Sequence, residues 1–233
     1  MKDLFGQALL DFQKGKFTED IITSTNISED DILPISYLFR DFKDMPKLEQ
    51  KAIKLVKGSI LDVGCGAGSH SLYLQKKGFQ VKSIDISKGA IEVCKLRGLK
   101  NVEVKNILDE TETFDTILLL MNGTGIFQEL SQVSKYLTHL KSLLNPNGQI
   151  LIDSSDIKYM YEDEDGGFWI DAHANYYGEL DYYLSYKGNK QTPIKWLYLD
   201  FETLQLACET VGLQCELILE GDHFDYLAKL SLS

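Results

Sequence analysis

Several features that mark other classes of protein are missing from this sequence of 233 residues. Its four cysteines form no C-x-x-C pair and no compact framework, which favours a reducing compartment where most thiols are buried. Met1 to Phe5 do not lead into the apolar core of a signal peptide. The longest apolar runs, such as Ile117 to Met121, are far too short to span a bilayer. We therefore expect a cytoplasmic protein without a membrane partner.

Basic residues are also scarce. The sequence has 24 lysines and arginines against 35 aspartates and glutamates, which gives a formal net charge of −11. A nucleic-acid binder normally presents a positive field to phosphates, and no run of residues here indicates a basic patch. The acidic run Glu162 to Gly167 lacks the spacing and terminal glutamate of a calcium loop, so we predict no metal site. The composition favours a small-molecule partner, neutral or cationic, over nucleic acid.

One glycine-rich stretch, residues 60–68, carries the most information about function. It reads ILDVGCGAG, in which three apolar residues around one acid predict a buried parallel strand. Glycines at every second position then predict a turn whose backbone can approach a ligand closely. A helix follows from Ser69, and its free N–H groups favour an electron-rich ligand. A dinucleotide fingerprint needs G-x-G-x-x-G, but the third glycine here, Gly68, comes one residue early.

The middle of the chain alternates strands and helices. Strands are predicted at residues 59–63, 80–85, 102–105, 116–121 and 149–153, with helices between most of them. Repeated βα units of this kind require a parallel sheet with helices on both faces. A helix and an antiparallel pair of strands are then predicted between Phe201 and Leu232.

Two regions fall outside this alternation. The first 58 residues predict helices, and Ser28 to Asp31 resembles a capping box that opens a helix at Ile32 to Phe42. Residues 154–200 contain an acidic loop and two aromatic-rich runs, joined by a predicted hairpin turn at Lys187 to Lys190.

The glycine motif and the order of elements resemble class I S-adenosylmethionine-dependent methyltransferases. The resemblance covers about residues 59–153 and then residues 201–233. It implies an α/β, Rossmann-like methyltransferase fold, with a mostly parallel seven-stranded sheet and a C-terminal antiparallel hairpin. On this interpretation residues 1–58 form an N-terminal helical cap. Residues 59–233 form the methyltransferase domain, with an aromatic-rich β-hairpin insertion at residues 154–200 after strand five.

The resemblance implies S-adenosyl-L-methionine as the cofactor. Asp85 ends strand two, where a carboxylate can accept both ribose hydroxyls, although a solvated loop acid or helix cap is the simpler alternative. Ile86 would pack on the adenine face, and Asp62 would lie near the methionine ammonium. The predicted cofactor contacts are Asp62, Gly64, Cys65, Gly66, Asp85, Ile86, Asn106, Ile107, Met121, Asn122, Tyr37 and Arg40.

Some of these residues have an equally simple structural explanation. Asn106 could accept from the adenine amino group beside the backbone N–H of Ile107, but it could equally be a turn residue. Arg40 could pair in bidentate fashion with the methionine carboxylate, with a surface position as the alternative. For Tyr37 the alternative is core packing. Asn122 lies in the loop after strand four, where loops of parallel sheets meet the ligand, or where the connection is merely flexible.

The implied cofactor carries its own electrophile, so the sequence does not need to contain an obvious base. Alignment alone contributes about 7–11 kcal/mol, whereas a general base adds roughly 3–5 kcal/mol. The insertion leaves the end of strand five, so we expect it to form the acceptor pocket together with the N-terminal segment. His173 and Asp171 are its candidate catalytic residues, with structural roles as the alternative. Trp169 and Tyr177, with Asn122, are the predicted substrate contacts.

The sequence therefore predicts methyl transfer to a small-molecule acceptor by direct in-line displacement. A dinucleotide-dependent oxidoreductase is one alternative, and the early third glycine argues against it. A protein that binds S-adenosylmethionine without turnover is another, which an occluded methyl face would reveal. The sequence specifies neither the acceptor nor the methylated atom, and it leaves open the use of a base and the oligomeric state.

Overall fold

The computed structural model of the chain describes residues 2–163, 167 and 176–232. Its α-helices in these ranges are α1 (Leu4–Gln13), α2 (Ile35–Leu38), α3 (Lys47–Leu55), α4 (Ser69–Lys76), α5 (Lys88–Leu96), α6 (Val133–Ser142) and α7 (Phe201–Thr210). No helix there is both long enough and apolar enough to cross a bilayer.

The strands of the described ranges belong to two sheets. They are β1 (Ile21–Thr25), β2 (Ser28–Leu33), β3 (Ser59–Val63), β4 (Gln80–Asp85), β5 (Val102–Val104), β6 (Phe114–Leu119), β7 (Leu144–Ser155), β8 (Glu179–Tyr186), β9 (Asn189–Lys190), β10 (Ile194–Leu197), β11 (Leu213–Glu220) and β12 (Asp225–Leu232). Short 3₁₀ turns lie at Phe42–Asp44, Ile107–Asp109, Gly123–Phe127, Leu130–Gln132 and Lys158–Tyr161.

The larger sheet has seven strands in the order β11-β12-β7-β6-β3-β4-β5. The pairs from β7 through β5 are parallel, whereas β12 is antiparallel to both β7 and β11. This arrangement confirms the predicted Rossmann-like methyltransferase sheet with its C-terminal hairpin. Because β3, β4, β5, β6 and β7 run in one direction, the loops that follow them meet at one edge of the sheet.

The smaller sheet joins the N-terminal residues to the insertion. Its order is β10-β8-β1-β2, with β9 paired to β8. Strand β1 is antiparallel to β8, with Ile22 opposite Ser185, and β8 is antiparallel to β10. The predicted hairpin within the insertion is therefore present. The segment before residue 59 is not a purely helical cap, because two of its strands complete the sheet that the insertion begins.

The predicted helix at Ile32 to Phe42 is wrong. Residues Ser28–Leu33 form β2, and only a single helical turn, α2, follows Pro34. The supposed capping residue, Ser28, instead accepts a hydrogen bond at Oγ from the backbone N–H of Thr25, at 3.0 Å. This contact closes the turn between β1 and β2, so the same serine that suggested a helix start stabilises a hairpin.

Helix α1 attaches the N-terminal segment to the main sheet. It lies so close to α5 that a Cβ on Gly89 would be 2.4 Å from the backbone of Gly6. Asp3 accepts at Oδ1 from the N–H of Gly6, at 2.8 Å, and at Oδ2 from the N–H of Gly89, at 3.0 Å. One carboxylate therefore caps the first turns of both helices, which fixes α1 beside the glycine-rich turn.

Candidate active site

The turn after β3 has the backbone that its glycines predict. Gly64, Gly66 and Gly68 have φ angles of 71°, 52° and 80°, a region that residues with a Cβ adopt at a cost. The N–H of Gly64 donates to the carbonyl of Ile84 at 2.9 Å, and that of Gly66 donates to Asp85 Oδ2 at 2.9 Å. The turn is therefore hydrogen-bonded to the end of the neighbouring strand β4.

Asp85 is buried at the end of β4, and its ribose contact stays a prediction. Its Oδ1 accepts from the N–H of Ser87 at 2.8 Å, and the residue is 9% exposed. Burial raises the pKa of Asp85 to about 6. A carboxylate offers about four acceptor positions, so the two hydrogen bonds in place leave capacity for hydroxyl donors. Beside it, Ile86 is 75% exposed at the end of β4, where an apolar ring could cover it.

Asp62 and Cys65 lie deeper than the rest of the predicted set. Asp62 is 2% exposed and accepts at Oδ2 from Ser71 Oγ at 2.6 Å. Burial raises the pKa of its carboxyl. The Sγ of buried Cys65 is 3.8 Å from that of Cys94, and all four cysteines are free, as the sequence indicated. Asp62 therefore anchors the first turn of α4, and its contact with a ligand ammonium stays a prediction.

Asn106 has the turn role that the sequence left open. Its Oδ1 accepts from the N–H of Leu108 at 2.9 Å and so caps the turn at Ile107–Asp109. Ile107 is buried, and its carbonyl oxygen is 2.8 Å from His139 Nε2. The side chain of Asn106 is exposed at the same edge as Asp85. Its adenine contact stays a prediction.

The loop after β6 is held in an uncommon conformation. Met121 and Asn122 have φ angles of 68° and 59°, which non-glycine residues seldom adopt without support. Asp153, at the end of β7, provides that support by accepting from the N–H of Met121 at 3.0 Å and from that of Gly123 at 2.9 Å. Burial raises the pKa of Asp153 to about 6. Asn122 Nδ2 donates to the carbonyl of Leu197, 3.2 Å away in β10.

Arg40 is buried, so the surface position considered for it is wrong. Its Nη2 donates to the carboxylate of Glu49 of α3 and contacts both oxygens, and Nη1 donates to the carbonyl of Tyr37 at 2.6 Å. The Tyr37 ring covers the guanidinium with its centroid 3.9 Å from Cζ. Both terminal nitrogens that a bidentate pair with a ligand carboxylate could use are thus engaged, Nη2 by Glu49 and Nη1 by Tyr37. Within the described ranges, Nε of Arg40 is the only buried side-chain donor without a hydrogen-bond partner.

His70, in the first turn of α4, completes this buried cluster. Its Nε2 is 2.6 Å from Glu49 Oε2, and the residue is 7% exposed. Burial alone would lower the pKa of His70, but the hydrogen bond and charge of Glu49 and the charge of Asp62 outweigh it and raise that pKa. Burial alone would raise the pKa of Glu49, but His70 and Arg40 lower it. The cluster therefore joins α3 and α4 beneath the site through ionised groups.

A cavity of about 260 Å³, here called the inner chamber, opens between the loop after β6 and the N-terminal segment. It is lined by Tyr37, Pro46, Leu48, Glu49, Met121, Asn122, Asp153, Ser154, Ser155 and Asp225. The structure thus brings three predicted site residues, Tyr37, Met121 and Asn122, to one wall of a cavity. Met121 and Asn122 of the lining follow β6, and β6 pairs directly with β3, the strand that precedes the glycine turn.

A second cavity of about 510 Å³, the outer chamber, lies between the two sheets. Strands β1 and β2 provide much of its wall, through the hydroxyl side chains of Thr23, Ser24, Thr25 and Ser28 and the carboxylates of Glu29 and Asp31. The rings of Tyr159, Tyr182 and Tyr198, all from the insertion, complete the wall of this chamber. Ser155 and Asp225 line both chambers, so the two cavities adjoin at these residues.

Four predictions concern the insertion. The candidate catalytic residues His173 and Asp171 and the candidate substrate contact Trp169 lie outside the described residues, as do residues 164–166 of the acidic run. Tyr177 is described, and its hydroxyl donates to Asp156 Oδ1 at 2.8 Å. That contact leaves its substrate role a prediction.

Sequence reasoning missed Glu49, His70 and Asp153. Asp153 ends a parallel strand, so the rule that selected Asp85 could also have selected it. His70 begins the helix after the glycine turn, which was a usable signal for a residue near the site. Glu49 has no such signal, because an acid in the first turn of a surface helix is ordinary.

Comparison with known proteins identifies the family. Residues 54–188 match the family model described as "Methyltransferase domain". The whole chain is also similar to a SAM-dependent methyltransferase from Bacteroides fragilis, solved in complex with S-adenosyl-L-homocysteine: TM-score 0.93, 44% identity, 100% of this chain and 95% of that chain. The chain therefore belongs to the class I S-adenosylmethionine-dependent methyltransferases, as its glycine motif indicated.

Curated relatives are similar over shorter stretches. A tRNA (uracil(54)-C(5))-methyltransferase of Pyrococcus abyssi is 33% identical over 110 residues, which are 42% of this chain and 26% of that protein. A ubiquinone biosynthesis O-methyltransferase of Pelagibacter ubique is 30% identical over 122 residues, 49% of this chain and 48% of that protein. The chain thus matches from about a quarter to half the length of these relatives. The names of these two relatives give different acceptors, so they do not identify the acceptor of this chain.

Proposed function

We propose that this chain binds S-adenosyl-L-methionine and transfers its methyl group to a small-molecule acceptor by direct in-line displacement. The observation that carries the proposal is a shared sheet edge. The left-handed glycine turn bonded to Asp85 and the inner chamber beside Asn122 lie at neighbouring strand ends. The complex of the Bacteroides fragilis relative with S-adenosyl-L-homocysteine supports the choice of cofactor.

The residues present fit such a cofactor. The turn exposes backbone without side chains at Gly66, where a Cβ would have only the Phe5 ring within 4 Å, at 3.8 Å. Asp85 retains acceptor capacity for ribose hydroxyls, and exposed Ile86 offers an apolar face for the base. When bound, the cofactor supplies a methyl group on a positively charged sulfur. The chain's own residues then need to orient the acceptor and exclude water.

The acceptor is assigned to the inner chamber by strand order. Most predicted cofactor contacts lie at the ends of β3, β4 and β5. Met121 and Asn122, which follow β6, are also predicted cofactor contacts, and Asn122 is a predicted substrate contact as well. On this proposal the two reactants therefore meet at the end of β6, with the acceptor between the ends of β6 and β7. The insertion reaches this side, since Leu197 of β10 accepts a hydrogen bond from Asn122. That contact supports the prediction that the insertion and the N-terminal segment enclose the acceptor. His173 and Asp171 remain candidate bases there.

The two alternatives weighed on the sequence have less support. Membership of the methyltransferase family removes the dinucleotide-dependent oxidoreductase. A protein that binds the cofactor without turnover would need a sealed methyl face, whereas a cavity of about 260 Å³ lies next to Asn122 here.

Calorimetry with S-adenosyl-L-homocysteine and with NAD tests the cofactor assignment. We expect binding of the sulfur compound and none of the dinucleotide; the reverse pattern would refute the proposal. A metabolite extract incubated with methyl-labelled cofactor then tests the acceptor class. Label in a small molecule supports the proposal, and label confined to added RNA or protein contradicts it.

A further inference from the structure

We infer that the acceptor is a small amine with a second positive charge, whose reacting nitrogen enters the inner chamber while the second charge lies in the outer chamber. This inference rests on the proposed function and specifies its substrate class. It follows from the continuity of the two chambers, from the charges that line them and from the rings of the outer chamber.

The two chambers can hold one extended molecule. Their volumes are about 260 and 510 Å³, and Ser155 and Asp225 belong to both linings. Pockets for small ligands have volumes of roughly 300–1,000 Å³. A molecule that reaches from the loop at Asn122 to strands β1 and β2 must therefore pass the carboxylate of Asp225. This position makes Asp225 the point of contact between the two parts of the ligand.

The charges that line the chambers are almost all negative. Among the described residues, the combined lining has five carboxylates and one histidine, but no lysine or arginine. Glu49 is paired with Arg40, and both oxygens of Asp153 accept backbone N–H groups. The other three, Glu29, Asp31 and Asp225, have no cation within 4.0 Å in the described part of the chain. Asp31 and Asp225 each accept one backbone N–H at Oδ1, from Ile32 and His223, which leaves their second oxygen for a ligand.

Several acids outside the chambers have a basic partner, such as Glu110 with Lys82 and Asp11 with Lys187, and others there have none. What sets Glu29, Asp31 and Asp225 apart is a shared cavity lining without a lysine or arginine among its described residues. Carboxylates left unpaired at a partly enclosed cavity attract cations and repel anionic acceptors. Because Glu29 and Asp31 lie in the outer chamber and Asp225 lies at the junction, the complementary ligand has two separated positive charges.

The outer chamber also has rings that suit a cation. Tyr159, Tyr182 and Tyr198 line it, together with the hydroxyl side chains of β1. The face of a tyrosine ring attracts ammonium groups, and hydroxyl oxygens accept their N–H bonds. Apolar Ile157 and Leu180 also line the outer chamber and suit a methylene chain. Rings, carboxylates and short apolar stretches together favour an aliphatic amine over a sugar phosphate or a fatty acid.

An amine also satisfies the chemistry of the proposed reaction. The reacting ammonium first gives one proton to water, and the unprotonated nitrogen then forms a bond to the methyl carbon as the carbon–sulfur bond breaks, with sulfur keeping that electron pair. The positive charge passes from sulfur to nitrogen, so the product is again an ammonium and one proton is released in total. No oxidant, reductant or further reactant is needed.

Calorimetry on the full chain saturated with S-adenosyl-L-homocysteine tests the inference. The probes are diaminobutane, aminobutane and butanediol, which share a carbon chain and carry two, one and no positive charges. We expect the diamine to bind at least about tenfold more tightly than the monoamine, since one charged contact contributes about that factor, and the diol to show no binding. Equal affinity for all three probes would overturn the inference.

Charge-neutral variants distinguish the chambers from general attraction to an acidic protein. Asp225→Asn and the double variant Glu29→Gln, Asp31→Asn are expected to weaken diamine binding by roughly tenfold or more. The matched controls are Glu209→Gln for the single variant and Glu202→Gln with Glu209→Gln for the double variant; they remove the same charge from exposed positions of α7 and are expected to leave the affinity unchanged. An equal loss in the controls would show nonspecific attraction and refute the inference.

The same experiments separate this inference from the proposed function. If S-adenosyl-L-homocysteine does not bind, the proposed function fails. If it binds but no diamine does, only the substrate class is wrong. Mass spectrometry after incubation with methyl-labelled cofactor provides the last readout, because N-methylated diamine supports both statements. Methyl label on a phenol or carboxylate, although the diamine is present, would contradict the amine as the acceptor class and leave the proposed function intact.

Discussion

The proposed cofactor side and the proposed acceptor side of this site lie along one sheet edge but are assembled over very different lengths of sequence. The cofactor side, at the ends of β3, β4 and β5, takes its main predicted contacts from residues 62–107. The acceptor side draws its cavity walls from residues 23–225, in both sheets. Local sequence motifs therefore describe the first side well, whereas the second exists only after distant segments have come together.

The two sides also obtain left-handed backbone differently. At the cofactor side the positive φ angles fall on Gly64, Gly66 and Gly68, where the residue type itself permits them. At the acceptor side they fall on Met121 and Asn122, where a carboxylate from another strand holds the backbone. The first device is visible in the sequence, and the second depends on tertiary contacts.

Gly66→Val should produce the largest effect, on the cofactor side alone. A branched side chain at φ 52° strains the turn. It also occupies the space through which the backbone of the turn would contact the cofactor. We expect affinity for S-adenosyl-L-homocysteine to fall by more than about a hundredfold in calorimetry, while circular dichroism still shows folded helix. Gly188→Val, at φ 68° in the β8–β9 turn, is the control for backbone strain. Normal binding by Gly66→Val would show that the cofactor does not cross the turn.

Asp85→Asn should have the next largest effect. The substitution keeps the shape but removes the charge that strengthens hydrogen bonds from ribose hydroxyls. We expect affinity for S-adenosyl-L-homocysteine to fall by about one to two orders of magnitude. Asp115→Asn is the matched control, because Asp115 also accepts a backbone N–H, from Ser59 at 2.7 Å, but at the opposite edge of the sheet. An affinity loss in the control equal to that of Asp85→Asn would remove the ribose role.

Thr124→Val should affect the acceptor side and spare the cofactor side. Thr124 is fully buried, and its Oγ1 is 2.6 Å from Ser154 Oγ and 3.1 Å from the carbonyl of Leu197. The isosteric change leaves both partners short of a hydrogen bond, so we expect the free energy of unfolding to fall by about 1–2 kcal/mol in urea denaturation. Thr210→Val, on an exposed helix end, should change it by less than about 0.5 kcal/mol. A large loss of cofactor affinity would show that the two sides are not separable.

His70→Gln should have the smallest effect, visible in the pH dependence of stability. The pKa of His70 is raised in the folded state, so folding binds extra protons between the unfolded value of 6.5 and the raised value. The stabilisation from the pair with Glu49 is present below pH 6.5 and is lost as pH rises through the raised pKa. Wild type should therefore lose more unfolding free energy than His70→Gln between about pH 6 and pH 9. His139→Gln, whose partner is a carbonyl, is the control; parallel curves for wild type and His70→Gln would contradict the ion pair.

The sequence was sufficient for the parts of the fold that repeat a local rule. Alternation of strands and helices predicted the parallel sheet, and Gly68 excluded the dinucleotide fingerprint. The error at Ser28 had a physical cause, since a serine can cap a helix or close a hairpin, and only pairing of β1 with β8 decides between them. Glu49 could not be predicted, because its importance comes from Arg40 and His70 rather than from its neighbours in sequence.

The pairing of β1 with β8 has a consequence for synthesis on the ribosome. Ile22 lies opposite Ser185, so at about 5–20 residues per second the first strand waits roughly ten to thirty seconds for its partner. During that interval β1 and β2 form at most a two-stranded hairpin, which is marginally stable on its own. The acids of β2 then have a second use, because charge on an exposed strand discourages pairing with other nascent chains. The carboxylates that line the outer chamber thus also disfavour aggregation of the nascent chain before the chamber has formed.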